Sequence, residues 1–223
     1  MPLNHANLLE ACSSLFAQNL GVRPNEKILI LTDSRLKKIG RTFLEAARNL
    51  SNQVELLEIP PGDYNGQEPP REAAQWMLEC DVMVAPLAKS ISWTTARRNA
   101  TDRGVRIATL PGITPEILLR NFPADYALIR SRVNRFADQL DQGRTVQIRT
   151  SLGTHLVFSI AGREAHGRKG GIFDKPGFWG NLPCGEAFIA PVEGTADGVY
   201  FIDGSLPGIG RLSEPVSVSV QSG

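Results

Sequence analysis

The chain has 223 residues, of which 42% are hydrophobic, and a formal net charge of +1. That length suffices for one large domain, or for one domain and part of another, and the balanced charge offers neither a basic face for nucleic acid nor an acidic tail. The three cysteines show no CxxC spacing, which indicates a cytoplasmic protein with reduced cysteines. No apolar run is long enough to span a membrane. We therefore expect a protein that binds neither nucleic acid nor a membrane.

The first part of the chain alternates short β-branched runs with amphipathic helical patterns. This alternation is typical of a parallel sheet covered by helices. The predicted strands are 27–32, 54–59, 81–85 and 105–110. Helical patterns lie between them, and Thr114 followed by Pro115 is a start signal for a further helix.

The pattern changes at about Arg144, where alternating strand-like runs are separated by Gly, Pro and Asp. The predicted strands there are 145–149, 154–160, 188–192, 199–202 and 216–220. Asp141-Gln142-Gly143 follows a helical pattern and marks the boundary. We therefore predict an α/β protein: a doubly wound, Rossmann-like parallel sheet with helices on both faces in residues 1–142, then a mostly β, partial catalytic-type domain in residues 143–223.

Ligands of open parallel sheets bind beyond the carboxyl ends of the strands, which here means segments 33–34, 86–95 and 111–114. The middle segment contains Lys89, Ser90, Ser92 and Thr94. It suits a carboxylate or phosphate, although we favour the interpretation that its hydroxyls cap the following helix. No GxGxxG follows the first strand, and the chain contains neither HExxH nor GxSxG, which argues against dinucleotide binding, a zincin site and a serine hydrolase.

Four acidic residues interleaved with Gly and Pro fall between residues 177 and 205: Glu186, Glu193, Asp197 and Asp203. The Asp-Gly pairs at 197 and 203 are explained by hairpin turns. Glu186 instead follows a Pro-Cys-Gly turn and precedes an apolar run, so its carboxylate is a candidate ligand for a divalent metal ion.

The segment Asn181-Leu-Pro-Cys-Gly-Glu186-Ala-Phe-Ile-Ala-Pro191 resembles the aminopeptidase T and aminopeptidase S family of metallopeptidases, which are leucyl aminopeptidase-like. Weaker similarity covers segments 21–27, 95–97, 108–114 and 153–154. The resemblance implies that Glu186 is a ligand of a two-metal centre of zinc, cobalt or manganese, that the substrate is a peptide and that the protein is a homodimer. The family's other ligands lie beyond the last residue here, so a C-terminally shortened chain with an incomplete site is expected.

The resulting hypothesis is an aminopeptidase-like hydrolase that removes N-terminal residues and is inactive alone unless its site is completed. Another chain, or Glu193, Asp197 and His166, would complete it. Two alternatives stay open: a noncatalytic binding or assembly relative, and a ring-cleaving dioxygenase similar in architecture to the iron-dependent 2,5-dihydroxypyridine dioxygenases. Trp93 and His155 stand where aminopeptidase relatives often have histidine and an acid, respectively. Their roles stay open, as does that of His166.

Overall fold

The computed structural model describes residues 3–223 and divides into two compact units. The first unit contains the chain up to Ser131 together with Lys169–Gly185, and the second contains Arg132–Arg168 and Glu186–Gly223. The sequence-based boundary at residues 142 and 143 differs from this division, which falls inside a helix and returns a later segment to the first unit. The segment returns because it supplies a strand to the first sheet.

The first unit is built on a parallel sheet of five strands in the order β2-β1-β3-β4-β7. Its strands are β1 (Ile28–Asp33), β2 (Val54–Ile59), β3 (Val82–Ala85), β4 (Arg106–Thr109) and β7 (Trp179–Asn181). Every residue of β1, β3 and β4 is buried, as expected for parallel strands covered on both faces. The four predicted strands are confirmed, whereas β7 was missed.

Helices cover both faces of this sheet, which confirms the predicted fold class. They are α1 (His5–Ser14), followed by a π-helical turn at Leu15–Asn19, α2 (Lys37–Arg48), α3 (Arg71–Trp76), α4 (Thr95–Asp102) and α5 (Pro115–Asn121). Ile28 and Ile30 of β1 pack into the core shared by α1, α2 and α5, while Leu29 and Leu31 pack into the core of α3 and α4. The two-residue alternation of strand side chains thus divides the apolar residues between two layers.

The helix α6 (Tyr126–Gln142) crosses the division between the units, and the second unit is mostly β. The strands β5 (Thr145–Arg149), β6 (His155–Ser159), β8 (Asp197–Ile202) and β11 (Val216–Val220) form an antiparallel sheet in the order β11-β8-β6-β5. A short hairpin joins β9 (Ser205–Leu206) to β10 (Gly210–Arg211). The strand predicted at 188–192 is wrong, since only one isolated bridge, between His166 and Phe188, forms there.

The cysteines are not cross-linked: no disulfide joins Cys12, Cys80 and Cys184. Burial raises the pKa of the Cys80 thiol to about 12 and also raises that of Cys12, so these two thiols are held protonated. Within residues 3–223, no helix combines the length and apolar character that a membrane span requires.

The edge strand β7 depends on a glycine. A Cβ built on Gly180 would lie 2.4 Å from Cζ of the buried Phe173. We expect Gly180→Ala to lower the free energy of unfolding by about 1–3 kcal/mol, because the ring must move within a packed core. Urea denaturation measures this, with Gly62→Ala as control, since a Cβ there meets its nearest atoms at 3.5 Å. Equal stability of the two variants would contradict the prediction.

Candidate functional site

Four polar side chains form a hydrogen-bonded cluster at the carboxyl ends of β4 and β7. We call Ser90, Ser92, Thr109 and Asn181 the hydroxyl–amide cluster. The Oγ of Ser92 donates to Oδ1 of Asn181 at 2.7 Å, and Oγ1 of Thr109 donates to the same oxygen at 2.5 Å. Ser90 donates its own hydroxyl to Ser92 at 2.8 Å. Residues far apart in sequence thus meet at the edge where parallel sheets bind ligands.

The cluster fixes the orientation of the Asn181 carboxamide. Its oxygen accepts two hydroxyl protons, so the amide nitrogen is the end that remains for another partner. The side chain is exposed, and within residues 3–223 its nitrogen makes no hydrogen bond. Asn181 therefore offers N–H donors to a ligand at this edge.

A buried guanidinium lies against the cluster. Arg97 is 5% exposed, and its Nε donates to the backbone oxygen of Ser92 at 2.8 Å. Its Cζ stands 3.8 Å from the centre of the Trp179 ring, a cation–π contact. Burial, then the charge of Arg98, lowers the pKa of Arg97, which forms no ion pair within the described part of the chain. The edge therefore carries a positive charge that no protein carboxylate neutralises by direct contact.

The ring of Trp93 extends this surface beside Trp179. Trp93 is 77% exposed and meets Trp179 edge to face, with ring centres 6.0 Å apart. The Nζ of Lys169 lies 4.5 Å from the centre of the Phe178 ring, which packs against the core on the other face of the sheet from Trp179. Burial, then the charge of Arg97, lowers the pKa of Lys169. An aromatic, cationic surface of this kind suits a planar ligand with oxygen substituents.

The capping interpretation holds for only one of the three hydroxyls. Thr94 accepts a hydrogen bond from the amide of Arg97 and caps α4, while Ser90 and Ser92 belong to the cluster instead. The carboxylate of Glu68 accepts from the amides of Thr95 and Ala96, at 2.5 and 3.1 Å. The start of α4 is thus already bonded to a protein carboxylate, which leaves little place there for the predicted external carboxylate or phosphate.

Glu186 lies exposed in the second unit, where a Cβ on Gly167 would come within 2.0 Å of its backbone oxygen. The residues expected to complete a metal site have other partners. Glu193 pairs with Arg163, Asp197 accepts from the amide of Ser222 at 3.0 Å, and the His166 ring packs near that of Phe188.

Across residues 3–223, no three His, Cys, Asp or Glu side chains lie together in a way that could hold a metal ion. His155 is exposed at the start of β6 and joins no such group. The role of Glu186 as a metal ligand therefore stays a prediction.

Comparison with known protein families identifies the family of this chain. The family model described as NicX: 2,5-dihydroxypyridine 5,6-dioxygenase matches residues 7–223. The chain belongs to the NicX family. No significant match was found among curated protein sequences.

Two solved structures share the fold of this NicX family chain. The 2,5-dihydroxypyridine dioxygenase of Pseudomonas putida KT2440 superposes with a TM-score of 0.80 at 19% identity, covering 100% of this chain and 67% of its own. AmpT of Thermus thermophilus superposes at 0.61 and 16% identity, covering 98% of this chain and 70% of its own.

These findings correct the functional hypothesis. The prediction of an aminopeptidase, and with it the assignment to hydrolases and proteases, is wrong, because the matching family model is that of a dioxygenase and the dioxygenase structure superposes better. The resemblance to aminopeptidase T is confirmed as a shared fold. The fold is thus one that both kinds of enzyme use.

Proposed function

We propose that this chain serves a ring-cleaving dioxygenase that acts on a hydroxylated nitrogen heterocycle such as 2,5-dihydroxypyridine. The observation that carries the proposal is the NicX family match over residues 7–223, almost the whole chain. The ring-cleaving dioxygenase is one of the alternatives that the sequence leaves open, and it replaces the aminopeptidase hypothesis.

The surface around the hydroxyl–amide cluster supports ring binding. The amide nitrogen of Asn181 is a donor for a ring hydroxyl or hydroxylate, and Trp93 and Trp179 present aromatic surface to a planar molecule. The charge of Arg97 beside Trp179 favours the ionised form of a ring hydroxyl. In this proposal the residues of the first unit bind and orient the ring.

A metal cofactor agrees with the NicX family, and iron is the metal that the dioxygenase alternative implied. Non-haem iron oxygenases use two histidines and one carboxylate. The residues from 3 to 223 do not fit such a site, because no three suitable side chains converge. In the proposed function, residues 3–223 alone therefore bind the ring and hold no metal.

This misfit gives a prediction about metal content. After anaerobic incubation with ferrous iron and desalting, we expect far less than one iron per chain by mass spectrometry, and the same for zinc, cobalt and manganese. Glu186→Gln is expected to leave these values unchanged. Stoichiometric metal in the unaltered chain that disappears in the variant would contradict the prediction and make Glu186 a ligand.

Titration calorimetry without oxygen tests the proposed function. We expect saturable binding of 2,5-dihydroxypyridine to the purified chain and no saturable binding of the dipeptide Leu-Leu. Binding of the dipeptide in place of the ring would overturn the proposal. The same samples, examined by sedimentation, test the predicted homodimer.

A further inference from the structure

A cavity of about 340 Å³ opens at the carboxyl ends of three neighbouring strands in the first unit. It is lined by Asp33 at the end of β1, Ile59 at the end of β2 and Leu87 just after β3. From β1 the chain passes through α2 to β2 on one side, and it then returns through α3 to β3 on the other. The cavity therefore lies at the point where strand order reverses, the usual ligand position in open α/β sheets.

The walls of this cavity are mostly apolar and stiff. Four prolines, Pro60, Pro61, Pro69 and Pro70, line it together with Ile59, Leu87 and Ile91. Because proline fixes its backbone φ angle, the loop between β2 and α3, which carries all four prolines, is restrained without a ligand. Tyr64, which is 63% exposed, adds an aromatic ring to the lining. The size and apolar lining are those of a small-molecule site for a planar ligand.

Both carboxylates of the lining are already bonded to backbone amides. Asp33 accepts from the amides of Arg35, Leu36 and Ala88 at 2.9, 3.1 and 2.6 Å. Glu68 accepts from two amides at the start of α4. These bonds stabilise the two negative charges and hold the carboxylate oxygens against the backbone.

Lys89 is the one basic side chain of the lining, and its ammonium group has no ion pair or hydrogen bond within residues 3–223. An ammonium group at the border of an apolar cavity is stabilised by an anionic ligand, and its three N–H groups match a carboxylate. The cavity shares only Ser90 with the hydroxyl–amide cluster. A ligand here would thus use groups that the proposed ring site leaves unused.

We propose that this cavity is a binding site for a small planar aromatic monocarboxylate, whose ring lies among the prolines and whose carboxylate pairs with Lys89. The site goes beyond the proposed ring-cleavage function and does not depend on a metal.

Calorimetry on the metal-free chain tests the site with benzoate and its neutral analogue benzamide. We expect saturable benzoate binding. The affinity for benzamide is expected to be lower by at least about tenfold, because the charge-assisted bond to Lys89 is lost. Lys89→Met is expected to remove this preference. Lys38→Met, an exposed change on α2, is expected to preserve it.

A cavity-filling variant provides a second measurement. A Cβ on Gly62 would make only ordinary contacts at 3.5 Å with Gln67 and Lys89, so Gly62→Val should fold and exclude benzoate. Equal affinity for benzoate and benzamide, no saturable benzoate binding, or a preference that survives in Lys89→Met would each overturn the proposal. Titrating 2,5-dihydroxypyridine into the same variants separates the two sites, because its binding is expected to persist when Lys89 is replaced.

Discussion

Replacing Arg106 with methionine is expected to lower the free energy of unfolding by about 3–5 kcal/mol, the usual cost of removing one partner from a buried ion pair. Arg106 is 4% exposed. Its Nη1 donates to the backbone oxygens of Leu20 and Gly21 at 2.9 and 3.0 Å, and its Nη2 pairs with the carboxylate of Glu26. The substitution would leave a largely buried carboxylate and two carbonyl groups without this donor.

Urea denaturation followed by circular dichroism measures this effect. Arg103→Met is the matched control, since Arg103 is exposed just before the same strand and the substitution is chemically identical. Combining Arg106→Met with Glu26→Leu should recover part of the loss, because no unpaired charge then remains. If Arg106→Met and Arg103→Met unfold at the same urea concentration, the ion pair does not stabilise the first unit as described.

Asn181→Asp is expected to weaken binding of 2,5-dihydroxypyridine by about tenfold or more, the effect of losing a hydrogen bond and placing a carboxylate beside the ring oxygen. The aspartate keeps an oxygen that accepts from Ser92 and Thr109, so the hydroxyl–amide cluster can persist. The substitution removes only the N–H groups that the amide nitrogen of Asn181 offers to a ligand. This near-isosteric change therefore tests ligand binding separately from folding.

Asn99→Asp provides the control for added charge, because it introduces the same carboxylate at an exposed position on α4. We expect its affinity for the ring to match that of the unaltered chain, and thermal unfolding should show that both variants are folded. Unchanged affinity in Asn181→Asp would remove Asn181 from the ring site.

The sequence predicts much of the first sheet because its signals are local. The runs that form β1 and β3 are mostly apolar and continuous, the run of β4 lies between Gly104 and Pro111, and Thr114 with Pro115 marks the start of α5 as predicted. The strand β7 was missed because Trp-Gly-Asn shows no periodicity, and it forms only by pairing with β4, more than sixty positions earlier. The apolar run at 188–192 was taken for a strand, yet it gains only one bridge because it has no continuous partner.

The candidate site shows the same limit. Segment 86–95 lies at the carboxyl edge of the first sheet, as predicted, but the pattern predicts that Ser92 caps a helix. Its actual partner, Asn181, is 89 residues away, and no local pattern reveals that contact. The motif from Asn181 to Glu186 did point to the fold, but aminopeptidase and dioxygenase structures share that fold, so the motif alone led to the wrong reaction.

The most direct test of the central claim, ring binding at the carboxyl edge of the first sheet, is NMR spectroscopy of the three tryptophan indole N–H groups during titration with 2,5-dihydroxypyridine. Trp93 lies in the loop that follows β3 and its ring contacts that of Trp179 in β7, whereas Trp76 in α3 lines a cavity at the start of β1 and β2. We expect the signals of Trp93 and Trp179 to move saturably with the ring and not with Leu-Leu, while that of Trp76 stays in place. Signals that respond to the dipeptide but not to the ring, or a response confined to Trp76, would contradict the account.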